Sequence, residues 1–139
     1  MSGLEVAASV IAVISLSAKV ASLCHQYSTD VKNANKDIER LQAETSHLKT
    51  ALESVQKLLE DSDGSALSAS NKLRDALDDC SSQLTKLEKK LDPGKTRHMI
   101  SRIGIRLTWP FSGKDVEKIV MSIRTSRDAI SLALQVDQT

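Results

Sequence analysis

Aromatic residues are almost missing from this 139-residue chain: Tyr27, Trp109 and Phe111 make up 2% of it. Proline (2) and glycine (5) are scarce as well. A β-sandwich or barrel needs frequent turn residues and usually aromatics, so these shortages exclude that class. Cysteine is limited to Cys24 and Cys80, both inside helical patterns, and no Asn-x-Ser/Thr acceptor occurs. The chain therefore reads as cytosolic, with free thiols and no disulfide framework. A basic segment ahead of the apolar N-terminus is also missing, since the only early charge is Glu5, and no cleaved signal is expected. A net charge of +1 excludes a nucleic-acid binder that works through overall charge, and no nucleic-acid partner is expected.

What is there is aliphatic. Hydrophobic residues are 40% of the chain, which is ordinary for a folded protein and argues against disorder. The length suits one domain, 1–139, whose core is built from Leu, Ile, Val and Ala. Charge is unevenly placed. Residues 1–85 carry 8 basic and 12 acidic side chains, whereas 86–139 carry 11 basic and 6 acidic.

Periodicity predicts an all-α, four-helix bundle with helices at about 3–26, 30–60, 68–91 and 113–136, plus a short extra helix or turn around 98–108. Ser2 and Glu5 form a capping-box pattern at the start, and Thr29-Asp30 is the expected cap of the second helix. That helix carries Val31, Ala34, Ile38, Leu41, Thr45, Leu48, Leu52, Val55 and Leu59 in unbroken steps of three and four. From 30 to 60 it would be about 46 Å long. The third, capped by Ser68, repeats the pattern with Leu73, Leu77, Cys80, Leu84, Leu87 and Leu91, and Asp92-Pro93-Gly94 stops it. These two seams are expected to pack on each other as antiparallel neighbours. Trp109-Pro110-Phe111 is expected to be a pinned structural turn, after which Ser112 and Asp115 cap a last helix bearing Val116, Ile119, Ile123, Ile130 and Leu134.

Little of the sequence offers catalytic chemistry. Gly94-Lys95-Thr96 matches the end of a phosphate-binding loop, but Lys89 stands where its first glycine should be and a helix precedes it. His25, His47 and His98 fall in different elements, and the adjacent Cys24 and His25 point to different helix faces, a poor metal pair. Cys24 and Cys80 are expected to act as small core hydrophobes. No enzyme activity, cofactor or metal is expected.

The first helix is more informative. Its uncharged run from Val6 to Ala18 spans about 20 Å, too short for a hydrocarbon core of roughly 30 Å, but Leu4–Leu23 is long enough. Val6, Val10, Ile11, Val13, Ile14, Leu16, Val20 and Leu23 cover most of its circumference, and Glu5, Ala8, Ala12, Ser15, Lys19 and Ser22 form a narrow stripe. At rest such a helix is expected to be buried on most sides in the middle of the bundle. It also has the length of a conditional membrane span, with Lys19 able to snorkel and the small stripe permitting close helix contact. The basic residues Lys89, Lys90, Lys95, Arg97, Arg102 and Arg106 form a candidate patch for anionic lipid.

An apolar first helix, Cys-x-x-Tyr at 24–27, Asp-Ile-x-Arg-Leu at 37–41, Trp-Pro-Phe at 109–111 and a closing Leu-Ala-Leu at 132–134 occur in that order. The combination resembles the HeLo-like N-terminal domains of fungal STAND (NLR-type) immune receptors over about Leu4–Gln138. The resemblance implies an excised or truncated helical domain of a longer receptor. Downstream nucleotide-binding and repeat domains would hold it inactive. It further implies a cell-death effector, cytoplasmic at rest, that self-associates and engages the plasma membrane through Leu4–Leu23. Some related domains act instead as adaptors, so a homotypic interaction module without membrane activity is the alternative expectation. A coiled-coil scaffold is a third.

Overall fold

The three-and-four spacing of apolar residues becomes one buried seam on each helix. The computed structural model describes residues 3–30, 35–60, 71–92 and 109–138, with the side chains of 6–28, 36–60, 71–92 and 109–133. Four helices fill these stretches: α1 (Gly3–Asp30), α2 (Asn35–Glu60), α3 (Asn71–Leu91) and α4 (Gly113–Gln138). No strand occurs among the described residues, and the fold is the all-α four-helix bundle expected from periodicity. The expected cap at Ser2–Glu5, the start of the second helix at Val31 and Ala34, the cap at Ser68, the phosphate-loop match and the element at 98–108 all lie outside the described residues or side chains.

Predicted core positions of α2 and α3 are buried: Ile38, Leu41, Thr45, Leu48, Leu52 and Val55 in one, and Leu73, Leu77, Cys80, Leu84, Leu87 and Leu91 in the other. Two buried hydroxyls are satisfied within their own helices. The Thr45 hydroxyl donates to the Leu41 carbonyl at 2.7 Å and the Ser17 hydroxyl to the Val13 carbonyl at 2.9 Å.

The way the seams meet differs from the sequence expectation in two respects. First, α2 and α3 are not packed on each other. Each contacts α1 and α4 instead, so α2 and α3 occupy one diagonal of a square and α1 and α4 the other. Spacing identifies a buried face but carries no information about which neighbour covers it. Second, α1 is at a corner rather than in the middle. A helix in a square bundle has two neighbours and leaves its outer side open. In α1 that side consists mainly of Ala8, Ser9, Ala12, Ser15 and Ala18, small residues that cost little when wet.

α1 also runs past the predicted end near Gln26, through Asp30, so Thr29-Asp30 ends one helix instead of capping the next. The extra turn is held by a tertiary contact. Tyr27 is buried and its hydroxyl donates to the Leu91 carbonyl at 2.8 Å. Around this contact the chain gathers all its aromatics. Tyr27 meets Trp109 edge-on at 5.3 Å between ring centres, and Trp109 meets Phe111 in the same way, also at 5.3 Å. Lys90 Nζ lies 5.6 Å from the Phe111 ring centre. Trp109 and Phe111 are buried while Pro110 is exposed. Ser112 N–H donates to Asp115 Oδ2 at 3.0 Å and Asp115 N–H donates to Ser112 Oγ at 3.1 Å, a reciprocal cap that starts α4.

Candidate functional site

α1 is long and apolar enough over Val6–Ser28, by length and composition, to cross a membrane, yet 33% of its apolar window is buried in the bundle. Of the predicted membrane-engaging residues, Val6, Val10, Val13, Val20 and Leu23 face the core, Ile14 and Leu16 are half-buried, and Ile11 is 50% exposed. The side chains of Leu4 and Glu5 lie outside the described ones. The predicted narrow stripe is part of a wider outer face: Ala8, Ala12, Ser15, Lys19 and Ser22 are exposed together with Ser9, Ile11 and Ala18.

Two polar contacts tie α1 to α3. One is Tyr27 to Leu91, described above. The other joins Lys19 Nζ to Glu88 Oε1 at 3.0 Å, with half of the lysine side chain in solvent. Its hydrogen bond to Glu88, followed by the carboxylate's charge, raises the Lys19 ammonium above its ordinary value. Burial, followed by the charge of Asp92, raises the Tyr27 phenol. Neither group changes charge near neutral pH, so both contacts persist there.

Cys24 and Cys80 are covered, at 0% and 1% exposure, as expected of core thiols. Burial pushes Cys24 up to about 12 and Cys80 up to about 11, which keeps both protonated at neutral pH. Among the described residues no group of three or more His, Cys, Asp or Glu is placed to hold a metal ion. His25 and His47 are exposed on different helices.

Of the predicted anionic-lipid patch, Lys89 and Lys90 are exposed near the end of α3, and Lys95, Arg97, Arg102 and Arg106 lie outside the described residues. The structure adds two lysines that the patch did not include. Lys86 and Lys118 join Lys89 and Lys90 around a groove of about 460 Å³ between α3 and α4, floored by Leu87, Phe111 and Ile119. Lys118 is distant in sequence, and only the packing of α3 on α4 places it there.

Residues 1–137 match the family described as pigment biosynthesis cluster protein PigL N-terminal. The chain belongs to this family. No curated protein and no solved structure matches it. For a PigL N-terminal domain, the helical bundle and the position at the head of a protein agree with the coarsest implication of the sequence resemblance.

A further polar cluster of this PigL N-terminal domain joins α2 to α4. Glu44 is 5% exposed, and Arg124 Nε donates to its Oε1 at 2.7 Å while Arg127 Nη1 approaches its Oε2 at 3.4 Å. Glu44 falls beside the apolar seam of α2, next to Thr45, and the two arginines are three apart on α4. That spacing puts both arginines on one helix face, the only trace of the pairing in the sequence.

Proposed function

We propose that this domain is the N-terminal effector module of a fungal NLR-type (STAND) receptor. It induces cell death when oligomerisation releases α1 from the bundle into the plasma membrane. The observation that carries this reading is the position of α1: a helix of membrane-spanning length at a corner, covered on one side only. Its inner side is held by core packing and by Tyr27 and Lys19, so release requires a bias of several kcal/mol toward the open state. Oligomerisation through downstream nucleotide-binding and repeat domains would supply that bias. The four lysines around the α3–α4 groove would draw the domain to anionic lipid, each being worth about 1 kcal/mol near such a surface. The role is non-catalytic and needs no cofactor, and the domain is cytoplasmic until activated.

Dye release from liposomes tests the proposal. The domain, forced to oligomerise by a fused trimeric tag, should empty anionic vesicles faster than neutral ones. Intact vesicles of both kinds would sink it.

A second reading, a homotypic adaptor module, is favoured by the complete burial of Val10, Val20 and Cys24, which commits the inner side of α1 to the bundle. Hydrogen exchange separates the two. Amides 6–20 lose protection on anionic vesicles if α1 is released, and keep it if the domain is an adaptor.

A further inference from the structure

The face formed by α3 and α4 is divided along its length. The two helices run antiparallel: Lys72, Asp75, Asp79 and Leu132 border one hollow, while Lys86, Lys90 and Lys118 border the larger groove further along. Towards the first end, α3 presents Asp75, Asp78 and Asp79 to solvent; towards the second it presents Lys86, Lys89 and Lys90. Ser82, small and exposed, separates the two trios. The helix macrodipole favours acids in the first turn and bases in the last. The dipole suits Lys89 and Lys90 in the last turn of α3, but it accounts neither for Lys86 before that turn nor for the aspartates, since no acid lies in the first.

The apolar surface is divided in the opposite sense. Leu132 stands 51% exposed at the acidic end, whereas the basic end offers the groove of about 460 Å³ floored by Leu87, Phe111 and Ile119. One face thus carries, at one end, an apolar knob where three aspartates outnumber Lys72 and, at the other, an apolar hollow rimmed by lysines. Such a face is complementary to itself when turned end over end.

The geometry points to an isologous homodimer built on this face, with the two-fold axis passing near Ser82. Leu132 of each copy enters the lysine-rimmed groove of the other, and each aspartate trio lies against the other copy's lysine trio. The face is about 30 Å long and about 20 Å wide, so two copies bury about 1,200 Å² in all, enough for a specific contact. Single exposed ion pairs contribute little, but here they repeat on both sides of the axis and flank a buried apolar insertion. Salt weakens such an interface, because its charges sit within one screening length of solvent. This dimer does not depend on the membrane reading, although anionic lipid and the second copy would compete for the same lysines.

Sedimentation equilibrium of the 139-residue protein tests it. A dimer is expected in about 50 mM salt, with Kd rising at least about tenfold in about 500 mM salt. Lys86→Glu with Lys90→Glu should give a monomer, and so should Asp75→Lys with Asp79→Lys. An equimolar mixture of the two double variants should recover a heterodimer. Leu132→Asp should weaken the parent dimer at least about tenfold. A parent protein that stays monomeric in low salt overturns the proposal. So does a dimer indifferent to these substitutions, or a mixture that fails to pair.

Discussion

The Tyr27 hydroxyl donates to the backbone carbonyl of Leu91, 64 positions away in sequence, across a distance of 2.8 Å. The contact joins the C-terminal end of α1 to that of α3, and the Trp109 and Phe111 rings extend it towards the start of α4. This bond and the Lys19–Glu88 ion pair fasten the helix proposed to leave the bundle. Tyr27→Phe keeps the ring stack and removes only the hydroxyl. It should cost about 1 kcal/mol in urea unfolding, and amides near the end of α1 should exchange faster than those of α2. Unchanged stability would mean that water serves the Leu91 carbonyl equally well.

Ile11 and Val10 are neighbours in sequence with opposite fates, one 50% exposed and the other wholly buried. Ile11→Glu should leave the bundle folded by circular dichroism while suppressing vesicle leakage, since a carboxylate near the bilayer centre costs about 3 kcal/mol. Val10→Glu should unfold the domain instead, because it buries an unpaired charge. Leakage by a folded Ile11→Glu variant would show that α1 does not insert.

The two thiols make a reporter. Both are buried and protonated at neutral pH, so alkylation should run at least about tenfold slower than for a free cysteine. In a Cys80→Ser variant only Cys24, on α1, remains. Its labelling should accelerate on anionic vesicles if the helix leaves the bundle, and an unaltered rate would favour the adaptor reading.

The α4 cap sets an acid-side dependence. The backbone N–H of Ser112, then its hydroxyl, lower Asp115 below the ordinary carboxylate value of 3.8. A carboxylate depressed by folding adds stability above its unfolded value and loses it as pH falls through the folded one. Asp115→Asn should therefore be less stable than the parent at neutral pH, and the gap should close as pH falls through the folded-state value of Asp115. Ser112→Ala, which also removes the acceptor for Asp115 N–H, should cost about 1 kcal/mol at neutral pH. Thermal melts across this range check both.

Glu44 and its arginines should respond unequally to truncation. Glu44→Ala empties a covered site and takes the carboxylate from two guanidinium groups, at a cost of about 1–3 kcal/mol. Arg124→Ala removes a side chain that is 49% exposed and should cost under about 1 kcal/mol, since Arg127 still reaches Glu44. Denaturant midpoints of the two variants and their double mutant measure the coupling.

Local order was legible in the residues themselves. Leu–Ile–Val periodicity and the cap of Ser112 with Asp115 each act within a few residues, so spacing alone predicts them. Thr45 was legible too, because its hydroxyl bonds back to Leu41 inside the same helix. Tyr27, Glu44 and Lys118 were not. Each has its role through partners on another helix, and no periodicity within one segment encodes which helix that is.

The sequence by itself determined that this protein is a bundle of aliphatic helices with one segment of membrane-spanning length, because hydrophobic spacing and turn residues are local properties of the chain. Only the tertiary structure decided that α1 stands at a corner, that α2 and α3 face each other across a diagonal, and that four lysines ring one apolar groove. Each apolar seam could be covered by any of the other three, and the choice among them rests on the packing of all four at once.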